Sequence, residues 1–294
     1  MAVIATGFFD GVHSGHRLVL DTLISEAKAR GEESVVVTFW PHPRVTLQKD
    51  AQSFRLLTSR SRRDSIIKDM GVSRLETINF SREFASLSAM DYIRMLRYGY
   101  GCTKLVLGYD TRFGSEQAGP QTIAELARSE GIESVITPPV CAPDSDIPVS
   151  STLIRAALEE GDAQLAKDLL GRPFSLEGVV IGGNHLGRTI GFPTANMAIA
   201  DPLLLIPYGG VYHSLVRVRE VTYEGMTNIG TRPTVGGSGA LTVETHIFGF
   251  DEMIYGEQIS VGFLERIRDE RRFPSLDALR AQLKADAAQI LDEE

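Results

Sequence analysis

Near its start the chain reads Gly7-Phe8-Phe9-Asp10-Gly11-Val12-His13-Ser14-Gly15-His16, placing two of its six histidines three residues apart in a glycine-rich run. Imidazoles can donate hydrogen bonds to charge that develops on a phosphoryl group, and Gly11 and Gly15 let the backbone approach an anion closely. A second run, Val149-Ser150-Ser151-Thr152-Leu153-Ile154-Arg155, sets hydroxyls at a helix start and an arginine one turn further in. Hydroxyls cap free N–H groups and reach phosphate oxygens, and arginine binds phosphate bidentately. The alternative for this segment alone is a helix cap with a surface arginine. Both runs point to phosphate chemistry.

These residues need a scaffold, and the spacing of apolar residues predicts one. Over residues 1–170, apolar runs such as Ala2-Val3-Ile4-Ala5-Thr6, Ser34–Phe39, Arg74–Phe80, Lys104–Tyr109 and Glu133–Pro139 read as buried strands. Helical spacing separates them: Leu20, Leu23, Ile24 and Ala27 form a stripe ending at Gly31, and helices fit Asp64–Met70, Ala89–Tyr98 and Thr122–Glu130. This alternation implies βαβ units in a parallel, doubly wound sheet. Gly7 to His16 then falls where the first strand passes into the first helix, a crevice whose unpaired N–H groups favour phosphate.

After Gly171-Arg172-Pro173 the texture changes. Glu177–Ile181, Val211–Arg219, Thr222–Asn228, Leu241–Phe248 and Gln258–Leu264 read as strands, and Glu220 is a tight turn between two of them. One long helix, Ser275 to Ile290, presents Leu276, Leu279, Leu283, Ala287 and Ile290 on one face, with Ser275 as its N-cap. Residues 171–294 are therefore expected to form an antiparallel β-barrel with a terminal α-helix.

Composition narrows the function classes. Two cysteines fit a reducing cytoplasm rather than a disulfide framework. No zinc-type Cys/His spacing, signal peptide or membrane-length apolar run is evident. The net charge of −8 argues against an extended nucleic-acid surface, and Arg60, Arg62 and Arg63 read as the wet side of a helix. The expectation is a cytoplasmic enzyme with small-molecule partners, neither nucleic acid nor membrane, its oligomeric state left open.

The His-x-Gly-His run together with Ser-Ser-Thr-x-Ile-Arg resembles the nucleotidyltransferase superfamily, which binds ATP and transfers an adenylyl group. Gly7–His16, Thr38–Arg44 and Phe80–Ser88 resemble its flavin branch. In the second half, Gly187–Asn196 with its Pro-Thr-Ala-Asn, then Gly210-Val211-Tyr212, Asn228–Thr234 and Val243–His246, is similar to riboflavin kinases in content and order. The resemblance spans nearly the whole chain and identifies it as a member of the bacterial bifunctional riboflavin kinase/FAD synthetase family. It implies an α/β Rossmann-like nucleotidyltransferase domain over residues 1–170 and a barrel kinase domain over 171–294.

The roles implied are as follows. Glu244 takes the proton of the ribityl hydroxyl of riboflavin as it attacks ATP. Thr194 and Asn196 hold Mg²⁺ and phosphates, Gly187 and Arg188 lie in a flap over them, and Arg268 and Phe273 sit near the flavin. Taken singly, a strand carboxylate such as Glu244 is usually solvated, and Pro-Thr-Ala-Asn is a turn. In the first half, FMN attacks the α-phosphate of a second ATP to give FAD. His13 and His16 stabilise the transition state, Gly7, Asp10, Gly15, Ser151, Thr152 and Arg155 meet the nucleotide phosphates, and Asp110 and Phe113 meet the flavin.

Some positions depart from the family. Tyr109 replaces an acidic residue, Thr111 an aromatic one, Ser115-Glu116-Gln117 a basic stretch and Gly249 an aspartate. Gly182 to Thr189 approaches a P-loop pattern, but Arg188 stands where lysine is needed, and Gly191 and Pro193 stop a helix. The alternatives are a kinase alone, adenylylation of another phosphate ester such as phosphopantetheine, and a non-catalytic flavin-binding regulator.

Overall fold

The computed structural model describes residues 1–47, 54–183, 186–232 and 240–292. Pro233 and Thr234 of the motif beginning at Asn228 lie outside these, as do Asn184 and His185 of the flap. The contacts divide the chain into two compact units, Met1–Ser151 and Thr152–Glu294.

The first unit runs β1 (Ala2–Thr6), α1 (Ser14–Arg30), β2 (Glu33–Trp40), α2 (Pro43–Leu47), α3 (Arg60–Asp69), β3 (Arg74–Asn79), α4 (Arg82–Ala85), α5 (Ala89–Tyr100), β4 (Cys102–Leu107), α6 (Pro120–Ser129) and β5 (Glu133–Ile136). The strands form one parallel sheet in the order β3-β2-β1-β4-β5. Every residue of β1 is buried, as a central parallel strand covered on both faces requires. The period of two sorts its side chains: Val3 and Ala5 pack with Leu20, Leu23, Ile66 and Ile67, while Ile4 packs with Ile93, Leu96 and Ile123 on the opposite face. The sheet is doubly wound, as its alternation predicts. Because the strand order reverses between β1 and β4, the loops after these strands part and leave a crevice.

One surface expectation fails here. The helix begins at Arg60 rather than Asp64, with Ser59 as its cap, and this turns Arg63 inward, where it is 1% exposed. Its guanidinium is satisfied by the carbonyls of Phe8 (3.2 Å) and Phe39 (3.3 Å) and by Asp64 (2.9 Å), and lies 4.6 Å from the Phe8 ring centre. A buried cation needs such partners, and their presence makes Arg63 a brace between the loop after β1 and the end of β2.

The second unit takes most of α7 (Ser151–Glu160), then α8 (Ala163–Leu170), β6 (Phe174–Ile181), α9 (Leu186–Thr189), β7 (Ala195–Ala198), β8 (Gly210–Val218), β9 (Val221–Arg232), β10 (Ala240–Ile247), β11 (Gln258–Arg268) and α10 (Leu276–Asp292). Its strands close into an antiparallel barrel, β10-β7-β6-β11-β8-β9. The turn at Arg219 and Glu220 joins β8 to β9, with Val218 facing Val221 and Arg219 at φ 55°. Strand β7, which the apolar pattern does not reveal, begins at Ala195 and Asn196, the second half of the Pro-Thr-Ala-Asn motif. Helix α10 caps one face, packing Ile290 and Leu283 on Val211 and Met226. The Ser275 hydroxyl accepts from Ala278 N–H at 3.2 Å, as its role of N-cap predicts. Leu276, placed by its spacing on the buried face, is instead 51% exposed, because the helix meets the barrel only from its second turn. Gly249 takes φ 68°, a conformation glycine adopts without strain, which accounts physically for glycine where the family has aspartate.

Candidate active sites

In the first unit the stretch from Gly7 makes a tight reversal. Phe9 (φ 58°), Gly11 (φ 79°) and Val12 (φ 42°) are left-handed, so the chain folds back before His13 caps α1. His13 Nδ1 accepts the His16 N–H at 3.3 Å, which leaves its neutral-form proton on Nε2. The two imidazole rings stack with centroids 3.6 Å apart, and the Phe9 ring meets His16 edge-on at 5.3 Å. Burial, and secondarily the neighbouring His13, hold the His16 imidazole well below its ordinary pKa. A neutral His16 stacked on His13 thus offers a directed N–H donor in place of a buried charge. Gly15 permits the arrangement, since a Cβ there would lie 3.3 Å from the His13 ring.

A cleft of about 170 Å³ opens at this point, at the reversal in strand order. Gly7, His13, Gly15 and His16 line it together with Tyr109 and Asp110 from the loop after β4. Asp10 does not line it. Its buried carboxylate accepts from Leu57 N–H at 3.0 Å and Thr58 N–H at 3.3 Å, and its carbonyl accepts the Ser151 hydroxyl at 2.9 Å. Asp10 therefore ties three segments together behind the histidines. Thr152 and Arg155 follow Ser151 within one turn of α7.

Phe113 lies in a separate cavity of about 290 Å³, walled by Phe39, Phe80, Phe84, Tyr92 and Arg44. Its ring meets Tyr92 edge-on at 5.0 Å, and the Tyr92 hydroxyl bonds Thr6 Oγ1, which lines the histidine cleft, at 2.5 Å. Asp110 and Phe113 are thus parted, with Arg112 lining both cavities. The aromatic residues lie inside the motifs after Thr38 and Phe80, which mark them without assigning them a place. The Ser-Glu-Gln departure also has a local cause: Glu116 accepts the Ala89 N–H at 2.9 Å, docking the loop on the start of α5. The backbone N–H groups of Glu116 and Ala89 hold this carboxylate below its usual pKa.

In the barrel, two cavities meet at Thr194. One, about 270 Å³, is lined by Arg188, Thr194, Asn196 and the loop Phe250–Tyr255. The other, about 300 Å³, is lined by Gly187, Thr194, Asn228, Glu244, His246, Arg268 and Phe273. Pairing positions Glu244 opposite Asn196 on one side and Asn228 on the other. Buried Val243, Thr245 and Ile247 alternate with half-buried Glu244 and His246, so Glu244 is on the cavity face and not in open solvent. His246 Nδ1 donates to the Pro193 carbonyl at 2.8 Å and thereby fixes the segment before β7. Asn228 and His246 are cavity residues that only their place in quoted motifs signals.

Arg268 lines the Glu244 cavity, but its guanidinium is held by buried Asp286 at 2.7 Å and packs over Phe273. The flap carries the one-turn helix α9, which Gly191 at φ 86° ends, so no P-loop helix follows. Among the described residues no cluster of three or more His, Cys, Asp or Glu could hold a metal. Thr194 and Asn196 provide neutral oxygens, and Gly183 makes room for the amide, since a Cβ there would lie 2.3 Å from Asn196 Nδ2. Such a donor set fits a hard cation that arrives with phosphates, as Mg²⁺ does.

Comparison with known proteins agrees with this geometry. The FAD synthetase family model matches residues 1–153 and the riboflavin kinase family model residues 170–292. A bifunctional riboflavin kinase/FMN adenylyltransferase of Bacillus subtilis is 34% identical, covering 99% of this chain and 92% of the relative. One of Escherichia coli is 37% identical, covering 97% and 90%. A crystal structure described as a macrolide-efflux protein from Streptococcus pneumoniae is 35% identical with a TM-score of 0.88, over 97% of this chain and 92% of that one. Among the described residues, no helix of this chain is long and apolar enough to cross a membrane. With both halves matched, and with relatives above 30% identity across almost its whole length, the chain belongs to the bifunctional riboflavin kinase/FMN adenylyltransferase family.

Proposed function

We propose that the chain makes FAD in two steps: its barrel phosphorylates riboflavin, and its first unit adenylylates the FMN produced. The observation that carries this reading is Thr194, which lines both barrel cavities and so joins a nucleotide side to the flavin side bearing Glu244. Glu244 accepts the proton of the ribityl hydroxyl while that oxygen attacks the γ-phosphorus, and ADP leaves. Thr194 and Asn196 hold the phosphates with Mg²⁺, which neutralises charge on them. Gly187 and Arg188 close over the nucleotide.

In the first unit a phosphate oxygen of FMN bonds to the α-phosphorus of ATP, the bond to the β-phosphate oxygen breaks, and pyrophosphate leaves. His13 and His16 donate to the charge gathering on the α-phosphate, while Gly7 and Gly15 allow close backbone approach. The family motif gives the hydroxyls at the start of α7 and Arg155 to the leaving phosphates. The isoalloxazine is assigned to the aromatic cavity at Phe113, with Asp110 at the nucleotide side. The test is a time course with riboflavin, ATP and Mg²⁺, the flavins being separated by chromatography. FMN should rise first and FAD follow; FMN alone, or no product, contradicts the reading.

A further inference from the structure

The two cavities of the first unit share one residue that no motif assignment uses. Arg112 lines the nucleotide cleft together with His13 and His16, and the aromatic cavity together with Phe39 and Phe113. The backbone fixes it there. Thr111 N–H donates to the Gly108 carbonyl at 3.1 Å, and Phe113 is bridged to Ala118, so Arg112 is held between two anchored neighbours. Its side chain is exposed, and Nη1 donates to the Gln117 carbonyl at 3.3 Å. No carboxylate pairs with it among the described residues.

The charges around it give this position its meaning. Among the described residues no other arginine or lysine lines the nucleotide cleft, and Arg155, given above to the leaving phosphates, stands apart on α7. Arg44 lines only the aromatic cavity, where its guanidinium lies 5.5 Å from the Phe54 ring centre, and Arg63 is buried on two carbonyls and Asp64. The stacked histidines supply ring N–H donors, and Asp110 adds a negative charge. Adenylylation must nevertheless bring the anionic phosphate of FMN against the anionic α-phosphate of ATP. A permanent cation at the seam between flavin and nucleotide cavities offsets that repulsion and can hold the phosphate by its planar fork.

We propose that Arg112 receives the phosphate of FMN and positions it for attack, selecting a phosphorylated flavin over riboflavin in the first unit. The inference rests on the two-step reading above. Arg112 stays charged throughout and transfers no proton; the bonds made and broken are those already described.

The test uses the full chain with Arg112→Gln, which can still donate to the Gln117 carbonyl but carries no charge, and Arg112→Lys, which keeps the charge without the fork. FAD formation is measured over ranges of supplied FMN and of ATP, with riboflavin phosphorylation in the same preparation as the control for folding. Loss of a charge-assisted phosphate contact should raise the KM for FMN roughly tenfold or more in Arg112→Gln. The KM for ATP should stay within about twofold and the kinase rate unchanged, with Arg112→Lys intermediate. If Arg112 only holds its loop, Tyr109 and Asp110 loosen and the KM for ATP rises with that for FMN, which overturns the inference. An unchanged KM for FMN overturns it as well. A wild-type chain that forms no FAD from FMN overturns both this inference and the two-step reading, whereas a failure confined to the variants leaves that reading standing.

Discussion

The His13 and His16 rings lie 17° from parallel with centroids 3.6 Å apart, and His16 Nδ1 is sealed from solvent with no hydrogen-bond partner. Protonating His16 would set a charge in a dry site against a second imidazole, which is why its pKa is lowered. The sign of the consequence follows. The unfolded chain binds this proton near pH 6.5 and the folded chain only at lower pH, so His16 supports full stability above about pH 6.5 and loses it as pH falls toward the folded value. The melting temperature of the first unit should fall with pH below 6.5, and more shallowly in His16→Asn. Equal slopes in the two proteins would contradict this.

Asp10 is predicted to act on structure first. Its replacement by alanine strands the Leu57 and Thr58 N–H groups in a buried place and should cost about 2–4 kcal/mol of first-unit stability, with less loss in Asp10→Asn. Denaturant titration with probes in each unit checks this; the barrel transition should not move.

Gly183 tests the cradle for Asn196. Because a Cβ at 183 would lie 2.3 Å from the Asn196 amide, Gly183→Ala should displace that side chain and slow riboflavin phosphorylation roughly tenfold or more. FAD formation from supplied FMN should be unaffected, and parallel assays of the two steps decide it.

The Arg268–Asp286 pair anchors α10 beside the cavity that bears Glu244. Asp286→Ala leaves an unpaired guanidinium at a half-buried site and should cost about 3 kcal/mol of barrel stability. Replacing both partners by leucine should cost less than the two single losses added together, which a double-mutant cycle measures.

Much of this arrangement is legible in the sequence, where local spacing and long-range fold agree. Ala2–Thr6 is a buried strand because it is apolar throughout, and Gly31 and Ser275 end and begin helices as glycine and serine commonly do. Strand β7 is hidden because Ala195–Ala198 is too short to show a period, and its pairing with β6 and β10 is what makes it a strand. Arg63 is misread because no local pattern shows that two distant carbonyls will converge on it. Nothing local in its motif shows that the Asp10 carboxylate will bond a segment 47 residues away. The seam at Arg112 depends on the packing of two loops, which spacing alone does not disclose.

The central claim is that two separate sites act in succession, and single-site variants test it most directly. Glu244→Gln should lose riboflavin phosphorylation by about 10²-fold or more yet convert supplied FMN to FAD. His13→Ala should make FMN normally and lose adenylylation by about 10²-fold. Neither variant alone should produce FAD from riboflavin at a useful rate, and mixing the two should restore it. Loss of both steps in either variant, or a mixture that stays inactive while each half-reaction is intact, would contradict the account.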